Sequence, residues 1–129
     1  IIFLKNSYRL YTENRLIGVG TGDFPDEYKR INSINTPYVV TTSQPHNMYI
    51  LVLAQLGILG LISFLLIFFF QFKFALSSSS SIKYVNHIAV AMPLLFLIIM
   101  WSDSYLLGHF TGNLYILFSS FVYSSNLNE

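Results

Sequence analysis

Beyond residue 47 the chain alternates long apolar runs with short polar segments. Residues 48–72 form a run of 25 residues without a formal charge. A bilayer core of about 30 Å requires roughly 20 apolar residues in helical conformation, so this run is long enough to span a membrane. Residues 84–102, which contain Pro93, and residues 105–123 are two further candidate spans. A proline in such a span is tolerated and predicts a kink. The pattern therefore predicts three transmembrane helices.

Polar segments separate and flank these runs. Residues 73–83 hold two lysines and five consecutive serines, and lysine without acid in a short loop favours the cytoplasmic side. This orientation places residues 1–47 and the Ser102–Ser104 turn on the outer face, with a cytoplasmic tail at residues 124–129. The predicted fold is an all-α integral membrane protein. It is a polytopic helical bundle fragment with three transmembrane helices and an N-terminal loop segment, residues 1–47, outside the membrane.

The first 47 residues are polar and irregular in pattern. Four apolar residues recur there at helical spacing: Ile1, Leu4, Tyr8 and Tyr11. This spacing predicts a short amphipathic helix that ends at Gly18. A glycine-rich turn follows at residues 18–24, and residues 31–45 are polar and interrupted by proline, which predicts a loop.

Composition and charge support the division into a polar head and an apolar body. The chain is 53% hydrophobic with a mean hydropathy of +0.55, and only 10% of its residues are charged, against about 25% in soluble domains. Nine of the 13 charged residues lie in the first 30 positions. This balance excludes a soluble domain and a disordered chain. A net charge of +1 provides no field that would attract nucleic acid.

The residue types also limit the chemistry. The absence of cysteine excludes a disulfide framework, a thiolate metal site and a thiol nucleophile. The three histidines, His46, His87 and His109, show no spacing typical of metal ligands. Hence the sequence predicts no metal site.

His46 is the strongest catalytic candidate. Its imidazole can exchange a proton near neutral pH, and it lies on a loop directly before the first span. The positive end of that helix would favour a neutral ring, as a general base requires. The alternative is an interfacial histidine that only caps or packs. Asn47, immediately before the span, is a typical helix N-cap.

Several other residues allow both a structural and a functional interpretation. The GxGxG turn fits neither a Rossmann nor a P-loop pattern; it is either a tight loop that needs positive φ or a set of backbone N–H groups facing a phosphate. Asp103 either caps the third span or orients a hydroxyl or a cation. Small residues at helical spacing predict close helix packing, and they form two groups: Ala54, Gly57 and Gly60, and Gly108 with Gly112.

Three motifs in order carry a family resemblance. They are LIGVGTGDFP at residues 16–25, PHNMY at 45–49 with a Gly-x-x-Gly at 57–60, and SDSYLLGHFT at 102–111. His-Asn, nine residues and then Gly-x-x-Gly is the signature spacing of the O-antigen ligase / O-antigen polymerase family, which this chain resembles over nearly its whole length. The resemblance implies the C-terminal portion of a polytopic enzyme in the bacterial inner (cytoplasmic) membrane, with an active periplasmic face.

The resemblance also implies an activity. The family transfers a glycan from undecaprenyl pyrophosphate to an acceptor hydroxyl without a metal or other cofactor. A ligase uses lipid A–core as acceptor in lipopolysaccharide biosynthesis, and a polymerase uses a second lipid-linked glycan. By this resemblance His46 is the catalytic base. Five other residues are candidate substrate contacts: Asn47, Gly20, Gly22, Arg30 and Asp103.

Two further expectations concern the chain as a whole. The family's phosphate-binding arginine falls before Ile1, so residues 1–129 alone are expected to be inactive. The membrane lipid and the lipid-linked glycan are the expected partners. The alternatives to an O-antigen ligase are the polymerase of the same family, a non-catalytic membrane protein and a gene remnant.

Overall fold

Helices joined by turns make up the described part of the protein. The computed structural model describes residues 1–77 and 84–124, and no strand occurs among them. The helices are α1 (Ile2–Glu13), α2 (Phe24–Asn35), α3 (Met48–Ser77), α4 (Val85–Ile99) and α5 (His109–Ser124), with a 3₁₀ turn at Tyr105–Leu107. The predicted all-helical class is confirmed. Residues 78–83 of the predicted serine-rich loop and residues 125–129 of the predicted tail lie outside the described residues.

α3 is the one helix in the described ranges that is long and apolar enough to cross a membrane. It has 30 residues, and only 22% of its most apolar window is buried inside the protein. α4 is apolar but has 15 residues, and α5 has 16. The apolar side chains on α3 therefore need a cover that residues 1–77 and 84–124 do not supply.

α3 is interrupted at Gly57, whose backbone is non-helical with φ +66° and ψ −165°. The glycine-rich loop supplies the hydrogen bonds lost at this break. The Val19 and Gly20 N–H groups donate to the carbonyl oxygens of Ala54 and Gln55, both at 2.9 Å, and the Ile58 N–H donates to the Arg15 carbonyl oxygen at 2.8 Å. These bonds satisfy backbone groups that the break would otherwise leave unpaired.

At Gly57 and Gly112 the prediction of close packing between two helices is wrong. A Cβ on Gly57 would overlap the carbonyl group of Leu16, which belongs to the loop. A Cβ on Gly112 would meet the Leu106 carbonyl oxygen at 2.9 Å, in the turn just before α5. At both glycines the absence of a side chain leaves room for the backbone of a neighbouring turn, not for a second helix.

The first core joins α1, α2 and the start of α3. Its buried members are Leu10, Phe24, Tyr28, Ile31, Leu51 and Ala54. The apolar stripe predicted for α1 is not its buried face, since Ile1 and Tyr8 are exposed whereas Asn6 and Ser7 are buried. The Asn6 amide donates to the Asn32 side-chain oxygen at 3.3 Å and to the Thr36 hydroxyl at 2.8 Å. Hydrogen bonding therefore allows a polar face to be the buried one.

The helices of residues 1–47 differ from the sequence prediction in two respects. α1 ends at Glu13 rather than at Gly18. α2 is absent from the prediction and includes residues 31–35 of the predicted loop. Its start follows known rules, because Pro25 lies in the first turn together with Asp26 and Glu27, where proline and acidic residues stabilise a helix N-terminus.

The second core joins α3, α4 and α5 around Phe68, Met100 and Tyr115. Tyrosine hydroxyls reinforce it by donating to helix carbonyl oxygens. Tyr49 donates to Leu97 at 2.5 Å, and Tyr123 donates to Ala89 at 2.8 Å. Ala89 lies four residues before Pro93, which has no N–H with which to close that helical bond. Tyr123 thus satisfies the carbonyl that Pro93 leaves open.

We expect Tyr123→Phe to destabilise the protein by about 1–3 kcal/mol, because the buried Ala89 carbonyl would lose its partner. Adding Pro93→Ala should recover part of that loss by restoring the helical N–H donor. Chemical unfolding in detergent measures both effects. Tyr38→Phe is the matched control, since Tyr38 is 99% exposed. Equal stability of Tyr123→Phe and Tyr38→Phe would contradict this explanation.

Candidate functional site

His46 and Asp103, which are 57 residues apart in sequence, meet at one end of the helical body. The His46 Nδ1 atom lies 3.2 Å from the Asp103 Oδ1 atom. Both side chains remain partly accessible, with 50% of the histidine side chain and 38% of the aspartate side chain exposed. The imidazole thus has one ring nitrogen against a carboxylate, while the ring as a whole is open to a ligand.

The backbone of His46 has an uncommon conformation. Its φ is +54°, in the left-handed region that non-glycine residues rarely occupy. Such strain, of the order of 1 kcal/mol or more, persists where the surroundings hold the residue in place, and it is concentrated at functional sites. Pro45 before it is buried, and the Phe3 ring of α1 lies 6.2 Å from the imidazole. The histidine is therefore held in position.

Asp103 is held by the turn that follows α4. Its Oδ1 atom also accepts the Ser104 backbone N–H at 2.7 Å. The prediction that Asp103 caps the third span is wrong, because a 3₁₀ turn comes first and α5 begins only at His109. The carboxylate instead contacts the His46 ring, and its predicted role of orienting a hydroxyl or a cation stays a prediction.

Asn47 connects the start of α3 to the end of α4. Its Oδ1 atom accepts the Ile50 N–H at 3.0 Å, which confirms the predicted N-cap. Its amide donates to the Trp101 carbonyl oxygen at 2.8 Å, and the Met48 N–H donates to the Met100 carbonyl oxygen at 3.0 Å. The last two bonds hold the start of α3 against the end of α4. They therefore fix the distance between His46, just before α3, and Asp103, just after α4. Asn47 is thus placed to position the pair.

A polar cavity of about 380 Å³ adjoins Asp103. Ser43, Gln44, Ser104 and Thr111 contribute polar groups to its wall. Ser104 is 3% exposed, and its hydroxyl has no hydrogen-bond partner among the described residues. A buried hydroxyl without a partner is rare in a native protein. Sequence reasoning missed this residue, whose only signal was its position next to Asp103.

This arrangement is suited to proton transfer. A neutral imidazole that donates its Nδ1 proton to a carboxylate presents Nε2 as a base. No family model, curated protein or solved structure matches the chain. The site's own geometry and the sequence motifs therefore carry the functional interpretation.

The other predicted substrate contacts lie away from this pair. Gly18 and Gly20 have φ values of +68° and +109°, which confirms the tight-loop interpretation of the glycine-rich turn. The Gly20 N–H is already used at the break in α3, and Gly22 belongs to the same turn. In the described ranges, no hydrogen bond joins Gly20 or Gly22 to His46. Their assignment as substrate contacts stays a prediction.

Arg30 lies on α2 and is engaged by two acids. Its guanidinium pairs with Glu27 at 2.8 Å and with Glu13. The hydrogen bonds that its guanidinium donates, first to Glu27 and then to Glu13, raise the pKa of Arg30 above its usual range. The charge of this exposed guanidinium is thus balanced by two carboxylates. To make its predicted phosphate contact, Arg30 would have to leave Glu13 or Glu27.

The remaining histidines lie at helix starts. His87 is exposed near the beginning of α4, and His109 is exposed as the first residue of α5. Both side chains are useful controls for the effects of histidine substitution.

Proposed function

We propose that this protein is a membrane glycan transferase of lipopolysaccharide biosynthesis, of the O-antigen ligase type. It transfers a glycan from undecaprenyl pyrophosphate to a hydroxyl of lipid A–core. The His46–Asp103 pair is the observation that carries the proposal, because it supplies an oriented base at the end of a long apolar helix. The sequence motifs that resemble this family include both residues.

The proposed reaction needs one base and one good leaving group. His46 Nε2 accepts the proton of the acceptor hydroxyl while Nδ1–H donates to the Asp103 carboxylate. The hydroxyl oxygen then forms a bond to the anomeric carbon of the donor glycan. The bond from that carbon to the pyrophosphate oxygen breaks, and undecaprenyl pyrophosphate departs with the electron pair. General base catalysis of this kind contributes about 10²- to 10⁴-fold to the rate.

The polar cavity next to Asp103 supports a sugar acceptor. Its volume of about 380 Å³ is sufficient for a sugar ring, and hydroxyl, amide and carboxylate groups line it. These groups favour a polyhydroxylated acceptor over an apolar one.

The proposed location is the bacterial inner membrane, with α3, α4 and α5 as three spans and the His46–Asp103 pair on the periplasmic side. Among the helices of residues 1–77 and 84–124, α3 alone has the length and composition of a complete span. The Ser102–Ser104 turn and residues 46–48 lie at the same end of the bundle, joined by the hydrogen bonds of Asn47 and Met48. Both polar segments would therefore face the same compartment.

Cysteine labelling tests this topology, since the chain has no native cysteine. Ser43→Cys lies before α3, and Ser77→Cys lies at its other end; both positions are exposed. We expect a membrane-impermeant maleimide to label Ser43→Cys in intact spheroplasts and Ser77→Cys only after permeabilisation. Labelling of both positions in intact spheroplasts would contradict a membrane crossing by α3.

Replacing Asp103 by asparagine tests the catalytic part of the proposal. We expect Asp103→Asn, made in the chromosomal gene, to reduce ligation by about 10²- to 10⁴-fold, because the amide no longer holds the histidine tautomer that exposes Nε2 as a base. The measurement is long-chain lipopolysaccharide on gels, together with the pool of undecaprenyl-linked glycan. Asp26→Asn, an exposed change on α2, is the control.

The same assay separates the alternatives. Loss of long-chain lipopolysaccharide with accumulation of lipid-linked polymer indicates a ligase. Core that carries a single repeat indicates the polymerase. Wild-type lipopolysaccharide in Asp103→Asn would show that the His46–Asp103 contact is structural and would contradict the proposed base.

A further inference from the structure

A large cavity among the described residues has neither His46 nor Asp103 in its wall. It has a volume of about 650 Å³ and lies between α1 and the C-terminal end of α2. Lys5, Tyr8, Arg9 and Thr12 line one wall, and their spacing places them on one face of α1. Asn35 and Thr36 form part of the opposite wall. The α1–α2 groove is thus polar, cationic and bordered by an aromatic ring.

The two cations in this groove have no acidic partner. Lys5 and Arg9 form no ion pair with any acid in residues 1–77 and 84–124; Arg9 only donates to the Asn35 side-chain oxygen, at 3.4 Å. Glu13, the one acid in the wall, pairs with Arg30 on α2. The groove therefore carries two positive charges, four residues apart, that form no ion pair, which favours an anionic ligand.

The aromatic and amide groups favour a saccharide over a simple anion. Tyr8 is 51% exposed in the wall, and its ring lies 5.6 Å from the Tyr11 ring. A supported tyrosine ring presents an apolar face on which the C–H face of a sugar can pack. The Asn35 amide and the Thr12 and Thr36 hydroxyls can exchange hydrogen bonds with sugar hydroxyls. An inorganic phosphate would use the cations and leave the ring bare.

We propose that the α1–α2 groove binds a carboxylate-bearing saccharide, with Lys5 and Arg9 on the acid and Tyr8 against a sugar ring. The choice of a saccharide rests in part on the proposed glycan transfer, whereas the choice of an acid rests on the two cations. The groove holds a part of the glycan remote from the reacting hydroxyl. It selects acidic repeat units over neutral ones.

Binding to the purified 129-residue protein in nanodiscs tests the proposal without requiring catalysis. The probes are a hyaluronan tetrasaccharide, which carries glucuronate, and chitotetraose, a neutral oligosaccharide of the same length. We expect the acidic probe to bind more tightly, and Lys5→Gln/Arg9→Gln to weaken its binding by about tenfold or more. Tyr8→Ala should weaken the binding of both probes. The control, Arg15→Gln, is an exposed change outside the groove and should leave the binding of both probes unchanged.

Other outcomes overturn the proposal. They are equal binding of the two probes, binding of neither, and an acidic-probe affinity that survives Lys5→Gln/Arg9→Gln. Binding of inorganic pyrophosphate or of phosphatidylglycerol vesicles through Lys5 and Arg9, with no contribution from Tyr8, would indicate a phosphate or lipid site instead. An unchanged thermal midpoint verifies that each variant is folded. Since no reaction is measured, failure here leaves the His46 and Asp103 tests untouched.

Discussion

Gly57→Ala is expected to prevent the protein from reaching its native structure. The Gly57 backbone, at φ +66° and ψ −165°, lies in a region that is essentially restricted to glycine. A Cβ there would also overlap the carbonyl carbon and oxygen of Leu16. Neither partner can move aside, because hydrogen bonds from Val19, Gly20 and Ile58 hold the loop against α3.

The expected loss is large relative to total stability. Holding an L-residue in this sparsely populated backbone region costs roughly 1–3 kcal/mol, and the backbone clash adds to it, within a total stability of about 5–15 kcal/mol. Gly18→Ala should behave in the same way, since its Cβ would overlap the Gln55 carbonyl group.

Yield and thermal midpoint in detergent measure this effect, and the chain provides a matched control. Gly22 belongs to the same turn, has no positive φ and has open space where the methyl group of an alanine would lie. Gly22→Ala should therefore keep the wild-type midpoint. A Gly57→Ala protein that unfolds at the wild-type temperature would show that the loop does not depend on this glycine.

The break in α3 also shows where sequence reasoning stops. A charge-free run of 25 residues predicts a continuous span, and glycine is tolerated in such helices. The helix is broken because a loop much earlier in the chain donates and accepts the missing hydrogen bonds. Only the tertiary contact between residues 15–20 and residues 54–59 determines the break. The start of α3 was predictable because Asn47 acts locally, on the N–H of Ile50.

The head segment was predicted less well for a similar reason. Apolar spacing predicted an amphipathic helix with Ile1 and Tyr8 on its apolar face, but the buried residues include Asn6 and Ser7. Asn6 can be buried because Asn32 and Thr36 come from another helix to bond it. Hydrophobic periodicity cannot anticipate a buried polar network of this kind.

The candidate site was predictable residue by residue but not as a pair. His46 and Asp103 each carried a local signal, one before a span and the other in a turn. Their contact depends on the start of α3 meeting the end of α4, which the Asn47–Trp101 and Met48–Met100 hydrogen bonds fix. Those bonds use backbone carbonyl groups, which leave no trace in the sequence.

The second large effect is expected at His46. His46→Asn should reduce glycan transfer by about 10²- to 10⁴-fold, because an amide cannot take up the acceptor proton. Asparagine is the appropriate substitution, since it tolerates the left-handed backbone at this position better than alanine does. Fold and stability should therefore be preserved while the base is lost. The measurement is long-chain lipopolysaccharide and the lipid-linked glycan pool in cells that carry the changed gene.

His87→Asn is the matched control, since His87 is an exposed histidine at the start of another helix. If His46→Asn and Asp103→Asn are each inactive, the double variant distinguishes a shared role from two separate ones. A base and the group that orients it act as a unit, so the double variant should be no worse than His46→Asn alone. Additive losses would mean that Asp103 acts on the substrate independently of His46. Normal lipopolysaccharide in His46→Asn would show that the His46–Asp103 contact has only a structural role, which is to hold α3 against α4.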